Sequence, residues 1–364
     1  MFRSVVMPAP NAPLEIQTSP RPQVEQGGVL LKTLAAEVCG TDVHLWHGRL
    51  AGVPYPLIPG HVSVGEVLET GGPVRDVEGT DVLPGDVVTF LDVHETCGNC
   101  WYCLVAQATT RCPSRKVYGI TYRARDGLLG GWSEAIMLKP GVKILKLAAG
   151  VGVDAFIGGG CGLPTAVHAV QLAGIQLGDR VLVQGSGPVG LSVCALARLS
   201  GAGWVGVTGA PALRLKTAEQ FGADWTADVT DTSPEARRRE VQALCGGVGP
   251  DVVIEASGNP AAVSEGCSLV RDAGRYVIVG QYTDAGSVEI NPHTQINRKH
   301  LEIRGCWGSD FRHVWRAMQI LQRFGGQFDW SGMISKRYAL ESVQTALEDV
   351  AAQRVVKAVI LPNG

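Results

Sequence analysis

The 364-residue chain has no apolar run long enough to cross a membrane. Its longest span free of Asp, Glu, Lys and Arg runs from Ala155 up to Asp179, and repeated Gly, Pro164 and His168 interrupt it. The apolar start Val5, Val6, Met7 is cut off by Pro8, far short of a secretory leader's core. No membrane partner and a cytoplasmic location are the expectations. A charge imbalance is also missing. Lys+Arg number 32 against 34 Asp+Glu, a net charge of −2, so nothing electrostatic argues for nucleic acid or anionic lipid. Aromatics are scarce at 6%, whereas Gly is abundant at 47, a mix suited to tight turns between small β-branched strands.

What the chain does have is ten cysteines. A reducing compartment would keep them from pairing, so metal binding is the first explanation to test. The length suggests about two domains at roughly 150 residues each. Up to about residue 150 the chain reads as short strands separated by Gly and Pro: Gly28 to Leu34, Val62 to Glu69, Asp86 to Leu91 and Glu134 to Leu138. From Leu163 the rhythm changes to strands alternating with helices. Thr165 to Ala173 is helix-compatible, Asp179 to Gln184 a strand and Val189 to Leu199 a helix. The alternation continues through Trp204 to Thr208, Ala212 to Phe221, Asp251 to Glu255 and Arg275 to Val279. That order predicts a parallel sheet with crossover helices. Beyond Gly280 the chain reads as irregular, then helical at Phe311 to Phe324 and Leu340 to Ala352, and ends on a strand, Val355 to Leu361.

Four constellations carry chemistry. Cys97, Cys100 and Cys103 recur every third residue and Cys112 follows, a set able to wrap one tetrahedral ion as a structural zinc site. An iron–sulfur cluster uses closely spaced Cys too, and four unrelated thiols are the bland alternative. Cys39, His61 and Cys161 could supply a Cys₂His set with one position left open, as catalytic zinc requires. Taken alone each would be an ordinary buried residue. Gly185-Ser186-Gly187-Pro188-Val189-Gly190 follows a strand and opens a helix, the context in which GxGxxG binds a dinucleotide. Gly185 would make the turn, Gly187 would let a pyrophosphate approach, and Gly190 would permit close helix–strand packing; a Gly-rich turn with no ligand is the alternative. The fourth constellation is an absence. The second strand ends Thr208-Gly209-Ala210-Pro211 with no carboxylate to hold ribose hydroxyls, and Arg214 and Lys216 lie in the following helix. That leans from NAD towards NADP, although Arg214 could equally be a solvated helix residue.

Together these residues resemble the zinc-containing medium-chain dehydrogenase/reductase family, in its alcohol and polyol dehydrogenase branch. The motifs are Cys39-Gly40-Thr41-Asp42-Val43-His44, Gly60-His61, the Cys97/Cys100/Cys103/Cys112 lobe, Gly160-Cys161-Gly162 with Thr165, and the Gly-rich loop. The resemblance implies an α/β protein: a GroES-like β-rich catalytic domain (1–162 and 300–364, its zinc lobe at about 94–116) and a Rossmann doubly wound parallel-sheet domain (163–299). It implies two zinc ions per chain, NAD(P), a small alcohol or carbonyl substrate, and a homodimer or homotetramer. It also implies roles. Cys39, His61 and Cys161 would ligate catalytic zinc, and Asp42 would accept a hydrogen bond from His61. Thr41 and His44 would relay the alcohol's proton to solvent. Thr165 would touch the nicotinamide, and Lys357 would lie near the pyrophosphate.

Two departures from the family pattern stand out. The family's Gly-His-Glu reads Gly60-His61-Val62 here, so a carboxylate beside the metal is missing, and the Cys103–Cys112 loop is one residue longer. Trp46, His47, Leu50 and Val93 are candidate pocket residues, each as readily explained by packing. The expected reaction joins an alcohol, a secondary or polyol-like one, to its ketone or aldehyde by hydride transfer in a cleft that excludes water. An NADPH-dependent carbonyl or activated-alkene reductase on the same fold, or a non-catalytic dinucleotide-binding protein, are the rival readings.

Overall fold

The computed structural model describes all 364 residues, in two units. Unit 1 comprises Met1–Gly160, Asp310–Gly325 and Trp330–Gly364; unit 2 comprises Cys161–Ser309 and Gly326–Asp329.

Unit 1 is built on a seven-stranded sheet whose central member is Val29–Val38. That strand, Val-Leu-Leu-Lys-Thr-Leu-Ala-Ala-Glu-Val, is buried along nearly its whole length, with Lys32 its one exposed residue. It is flanked antiparallel by Ser63–Thr70, Lys357–Leu361 and Ala135–Leu138. Ile334–Ala339 closes one edge, and Val87–Phe90 and Ile144–Lys146 the other. Two apolar clusters fill the unit, one around Leu30, Leu31, Ile136 and Tyr118, the other around Met7, Leu45, Leu57, Trp132 and Ile360. A small lobe projects from this body. Its two-stranded ribbon, Val93–Glu95 with Lys116–Val117, encloses the helix Trp101–Leu104 and a 3-10 turn, Thr109–Arg111.

Unit 2 is a six-stranded, all-parallel sheet. In space the strands run Trp225–Asp228, Trp204–Gly209, Arg180–Gln184, Val252–Glu255, Arg275–Ile278, Glu302–Gly305. Numbered within the unit this is 3-2-1-4-5-6, the doubly wound order that reverses between its first and fourth strands. Val181-Leu182-Val183 and Val252-Val253-Ile254 are continuous apolar runs because both faces of such a sheet are covered by helices. Three covering helices begin with Pro at the first position, Pro188, Pro234 and Pro260, where a missing N–H costs nothing.

The expected boundary at residue 300 is corrected to 310. Glu302–Gly305, in a stretch that reads as irregular because no apolar alternation marks it, forms the sixth strand, with all four residues exposed. No helix is long and apolar enough to cross a membrane.

Candidate metal and dinucleotide sites

In the lobe the thiols of Cys97, Cys100, Cys103 and Cys112 all lie within 4.8 Å of one another. Cys100 precedes the single helical turn that ends near Cys103, which brings their two sulfurs to 3.6 Å, and Cys97 and Cys112 are likewise 3.6 Å apart. A disulfide would need about 2.05 Å. The edge of a tetrahedron with zinc–sulfur bonds of about 2.3 Å is about 3.8 Å, so the four thiols fit a zinc ion closely. The Cys97 amide also donates to the Cys112 sulfur at 3.3 Å. Thr109 bonds Asp310 at the head of the Phe311–Phe324 helix, tying the lobe to the body of unit 1.

The second group assembles from three separate segments. Cys39 ends the central strand and caps the helix Gly40–Trp46. His61 follows Gly60, whose φ of +91° and contact with Trp132 leave no room for a side chain. Cys161 stands one peptide bond beyond Gly160, capping the helix Gly162–Ala173. One donor atom from each of Cys39, His61 and Cys161 falls within 4.8 Å of the others, and Cys39 and His61 are buried. Two thiols and an imidazole, with no fourth side chain in the group, are a donor set suited to zinc that keeps one position for substrate. A helix N-terminus, as at both Cys39 and Cys161, also favours negative charge.

The Gly40–Trp46 helix carries the neighbouring polar residues. Asp42 is fully buried and accepts the Cys39 amide through Oδ2 at 2.9 Å. Burial pushes its carboxyl up to about 6, while His61 and the Cys39 amide pull it back down. The hydrogen bond expected from His61 is not formed: the capping interaction commits Oδ2 to Cys39, and the buried Oδ1 has no partner. Thr41 and His44 are half-buried, and burial lowers the His44 pKa, aided by Arg49 and His47. Thr165 donates its hydroxyl to the Cys161 carbonyl at 2.8 Å, within its own helix.

In unit 2 the three loop glycines have separable geometries. A Cβ on Gly185 (φ +122°) would strike Ala256 and Ser257, and one on Gly190 would come within 1.9 Å of the Gly185 carbonyl. Around Gly187 there is open space, and the helix Pro188–Leu199 starts there with its free amides. That is a ready cradle for a pyrophosphate, at the point where the strand order reverses. Gly209 packs on Ser186, whose hydroxyl bonds the Ala210 carbonyl at 3.2 Å. Pro188 and Val189 begin the same helix, and Arg214 lies partly buried in Ala212–Gln220.

Several expectations need correcting. Lys357, expected near the pyrophosphate, is only 1% exposed and ion-paired to Glu37 at 2.7 Å, so its charge is already matched by a buried carboxylate. Trp46 and Leu50 pack against an apolar cluster of unit 1, and the Trp46 indole bonds the Ala12 carbonyl at 3.2 Å. His47 bonds Asn11 at 2.9 Å, and Val93 is buried with Leu91 and Val117. All four are explained by packing and local bonds. Two residues near the sites carry no motif that the sequence reveals, Glu37 and Glu255. Glu255, fully buried at the end of its strand, accepts the amides of Ser257, Gly258 and Gly280, and so shapes the loop beside Gly185. A lone acid inside an apolar strand is the signal that could have found both glutamates.

Comparison with known proteins agrees with this construction. Residues 25–149 match the alcohol dehydrogenase GroES-like domain, and residues 188–323 match the zinc-binding dehydrogenase domain. The chain is 32% identical to 5-exo-hydroxycamphor dehydrogenase of Pseudomonas putida over 92% of its own length and 91% of that protein's. It is 32% identical to L-threonine 3-dehydrogenase of Streptomyces avermitilis, covering 94% of each. Among solved structures it resembles an alcohol dehydrogenase of Thermotoga maritima, with a TM-score of 0.94 and 33% identity over 100% of this chain and 99% of that one. A Sinorhizobium meliloti protein described as a zinc-binding dehydrogenase, bound to NADP, superimposes with a TM-score of 0.84 at 29% identity, over 100% of this chain and 99% of that one.

Proposed function

The chain belongs to the zinc-containing medium-chain alcohol dehydrogenase family, and from that premise we propose that it interconverts a secondary alcohol and its ketone at a metal held by Cys39, His61 and Cys161. The activity class follows from the family: an NAD(P)-linked oxidoreductase acting on a small alcohol or carbonyl compound. The convergence of the two thiols and the imidazole carries the assignment of the site. The hydroxycamphor and threonine dehydrogenases both act, by name, on secondary hydroxyls, which supports that substrate class.

When bound, zinc supplies a Lewis acid to the substrate oxygen and the nicotinamide supplies a hydride acceptor. The chain's own residues do the rest. The Thr41 hydroxyl takes the proton from the substrate hydroxyl and passes it towards the His44 imidazole. Burial lowers the His44 pKa, which favours the neutral imidazole that accepts a proton. Asp42 holds the Cys39 amide and places its carboxylate charge near His61. Thr165 sits one helical turn after Cys161, where it would flank the nicotinamide. Gly187, Val189 and Gly190 would offer backbone amides to the pyrophosphate, with Gly185 making the turn and Pro188 opening the helix.

The reading includes a second, structural zinc on Cys97, Cys100, Cys103 and Cys112, and a preference for NADP. No acidic residue ends the strand Trp204–Gly209, Arg214 stands in the next helix, and the S. meliloti protein was solved with NADP. It also includes a cytoplasmic homodimer or homotetramer, whose mass light scattering measures. Initial rates with primary alcohols, secondary alcohols and conjugated enals, each with both cofactors, test the function. Secondary alcohols oxidised fastest with NADP are expected. Enal reduction without alcohol oxidation, or a preference for NAD, would overturn the substrate class or the cofactor preference respectively.

A further inference from the structure

We propose that the buried Glu37–Lys357 ion pair is the positioning element of the Cys39–His61–Cys161 metal centre, one contact that braces all three ligand-bearing segments. This rests on the reading of that centre given above, and it assigns a role to two residues outside the ligand segments' own motifs.

The bracing is visible segment by segment. Glu37 lies two residues before Cys39 on the central strand, and the strand register pairing Ala358 with Val38 sets Lys357 one step further along, beside Cys39. The Glu37 amide donates to the carbonyl of Val62, the residue after His61, at 3.0 Å. On its other side the pair reaches the third segment. An added Cβ on Gly160 would stand 2.2 Å from Glu37 Oε2 and 2.4 Å from Lys357 Nζ. Gly160 also has a φ of +47°, so both its conformation and its neighbours demand glycine immediately before Cys161. The Trp132 indole adds a bond to the Glu37 carbonyl at 3.1 Å.

Both partners are 1% exposed, and they come from positions 320 residues apart. Two charges taken fully out of water gain little net stability over well-packed apolar groups, so stability alone is a poor reason for the pair to exist. A direct ion pair does impose a fixed distance and direction between strands, and that is what a three-segment metal site needs. The family's carboxylate after the histidine is absent here, with Val62 in its place, and the buried carboxylates beside the ligand segments are Glu37 and Asp42, of which Glu37 is the one ion-paired to a lysine.

The experiment compares zinc release and cobalt spectra of the full-length protein with those of Glu37→Gln and of the double variant Glu37→Gln/Lys357→Met, which removes both charges. Zinc loss to a chromogenic chelator is followed without substrate, and the Cys97/Cys100/Cys103/Cys112 zinc in the same molecule serves as the reference. Cys161→Ala identifies which release phase belongs to the open centre. Loss of outer contacts typically weakens metal binding by about 10–100-fold. Release from the open centre about tenfold faster or more, a changed Co²⁺ d–d spectrum and an unchanged lobe phase are expected in both variants, with the double variant melting cooperatively near wild type. Release within twofold of wild type with an unaltered spectrum overturns the proposal. So does loss of the lobe zinc and of cooperative melting in both variants, because the pair would then serve the whole fold. A wild-type chain with no second release phase would instead remove the centre itself, an outcome distinct from either.

Discussion

The two thiol clusters make a natural comparison. The lobe cluster is local: four sulfurs from Cys97 to Cys112, contributed by a ribbon, one helical turn and a 3-10 turn, with Trp101, Leu104 and Val105 exposed around it. The other is dispersed from Cys39 to Cys161, and its Cys39 and His61 are buried against the central sheet of unit 1. A local cluster needs only its own spacing and a metal, and a metal bound there would in turn supply much of the lobe's order. The dispersed cluster needs the sheet register and the turn at Gly60 before its donors can meet. What differs is the direction of dependence: a metal would organise the chain in the lobe, whereas the chain would organise the metal in the core.

That contrast predicts unequal failures. The largest effect should come from Cys161→Ala, which removes one of three ligands and should cut turnover by about three orders of magnitude or more, several kcal/mol of transition-state stabilisation. The melting temperature should barely move. An inactive but also unstable variant would erase the distinction between the clusters.

His44→Gln should come next. It should slow turnover by about 100-fold and flatten the acidic limb of the rate profile, with the metal content intact. Because burial lowers the His44 pKa, that limb in the wild type should fall below the ordinary histidine value near pH 6.5. A limb unchanged by the substitution would remove His44 from the relay.

Cys103→Ser sharpens the comparison from the other side. It should lower stability by a few kcal/mol and open the lobe to proteolysis around Trp101, while protein that stays folded keeps turnover within several-fold. Abolished turnover in folded protein would mean that the lobe serves the reaction.

The smallest effect concerns acid stability away from both clusters. Asp349 is held at about 2 by the Tyr338 hydroxyl at 2.5 Å and by Arg354 and Lys336. Its folded pKa lies below its unfolded one, so its contribution is complete above about pH 4 and fades as pH falls towards 2. Asp349→Asn should therefore flatten the wild-type loss of stability in that window and leave metal content unchanged. Urea melts at pH 3 and 7 measure it.

Legibility in the sequence followed the same division. The lobe thiols and Gly185, Gly187 and Gly190 were readable because spacing alone sets their geometry, and the structure gives each glycine its own steric reason. Strand alternation is readable in the long buried runs such as Val181–Val183, but not in the short strands Phe2–Val6, Ile144–Lys146 and Trp225–Asp228, nor at Glu302–Gly305, whose four residues are all exposed. Lys357 was misread because nothing near it in the chain announces Glu37, 320 positions away. Trp46 and Leu50 looked like pocket residues because they follow the relay helix, but their packing partners, such as Met7 and Leu57, come from segments before and after that helix. The Asp42–His61 hydrogen bond is absent: the Cys39 amide holds the carboxylate through Oδ2, and Oδ1 is left without a partner.

Zinc per chain, measured by elemental analysis on wild type and on Cys161→Ala, bears most directly on the dispersed centre. Two zinc ions falling to one is the predicted result, with the survivor in the lobe. One zinc in both proteins would contradict the account, leaving the core thiols without a metal and the proposed alcohol oxidation without its Lewis acid.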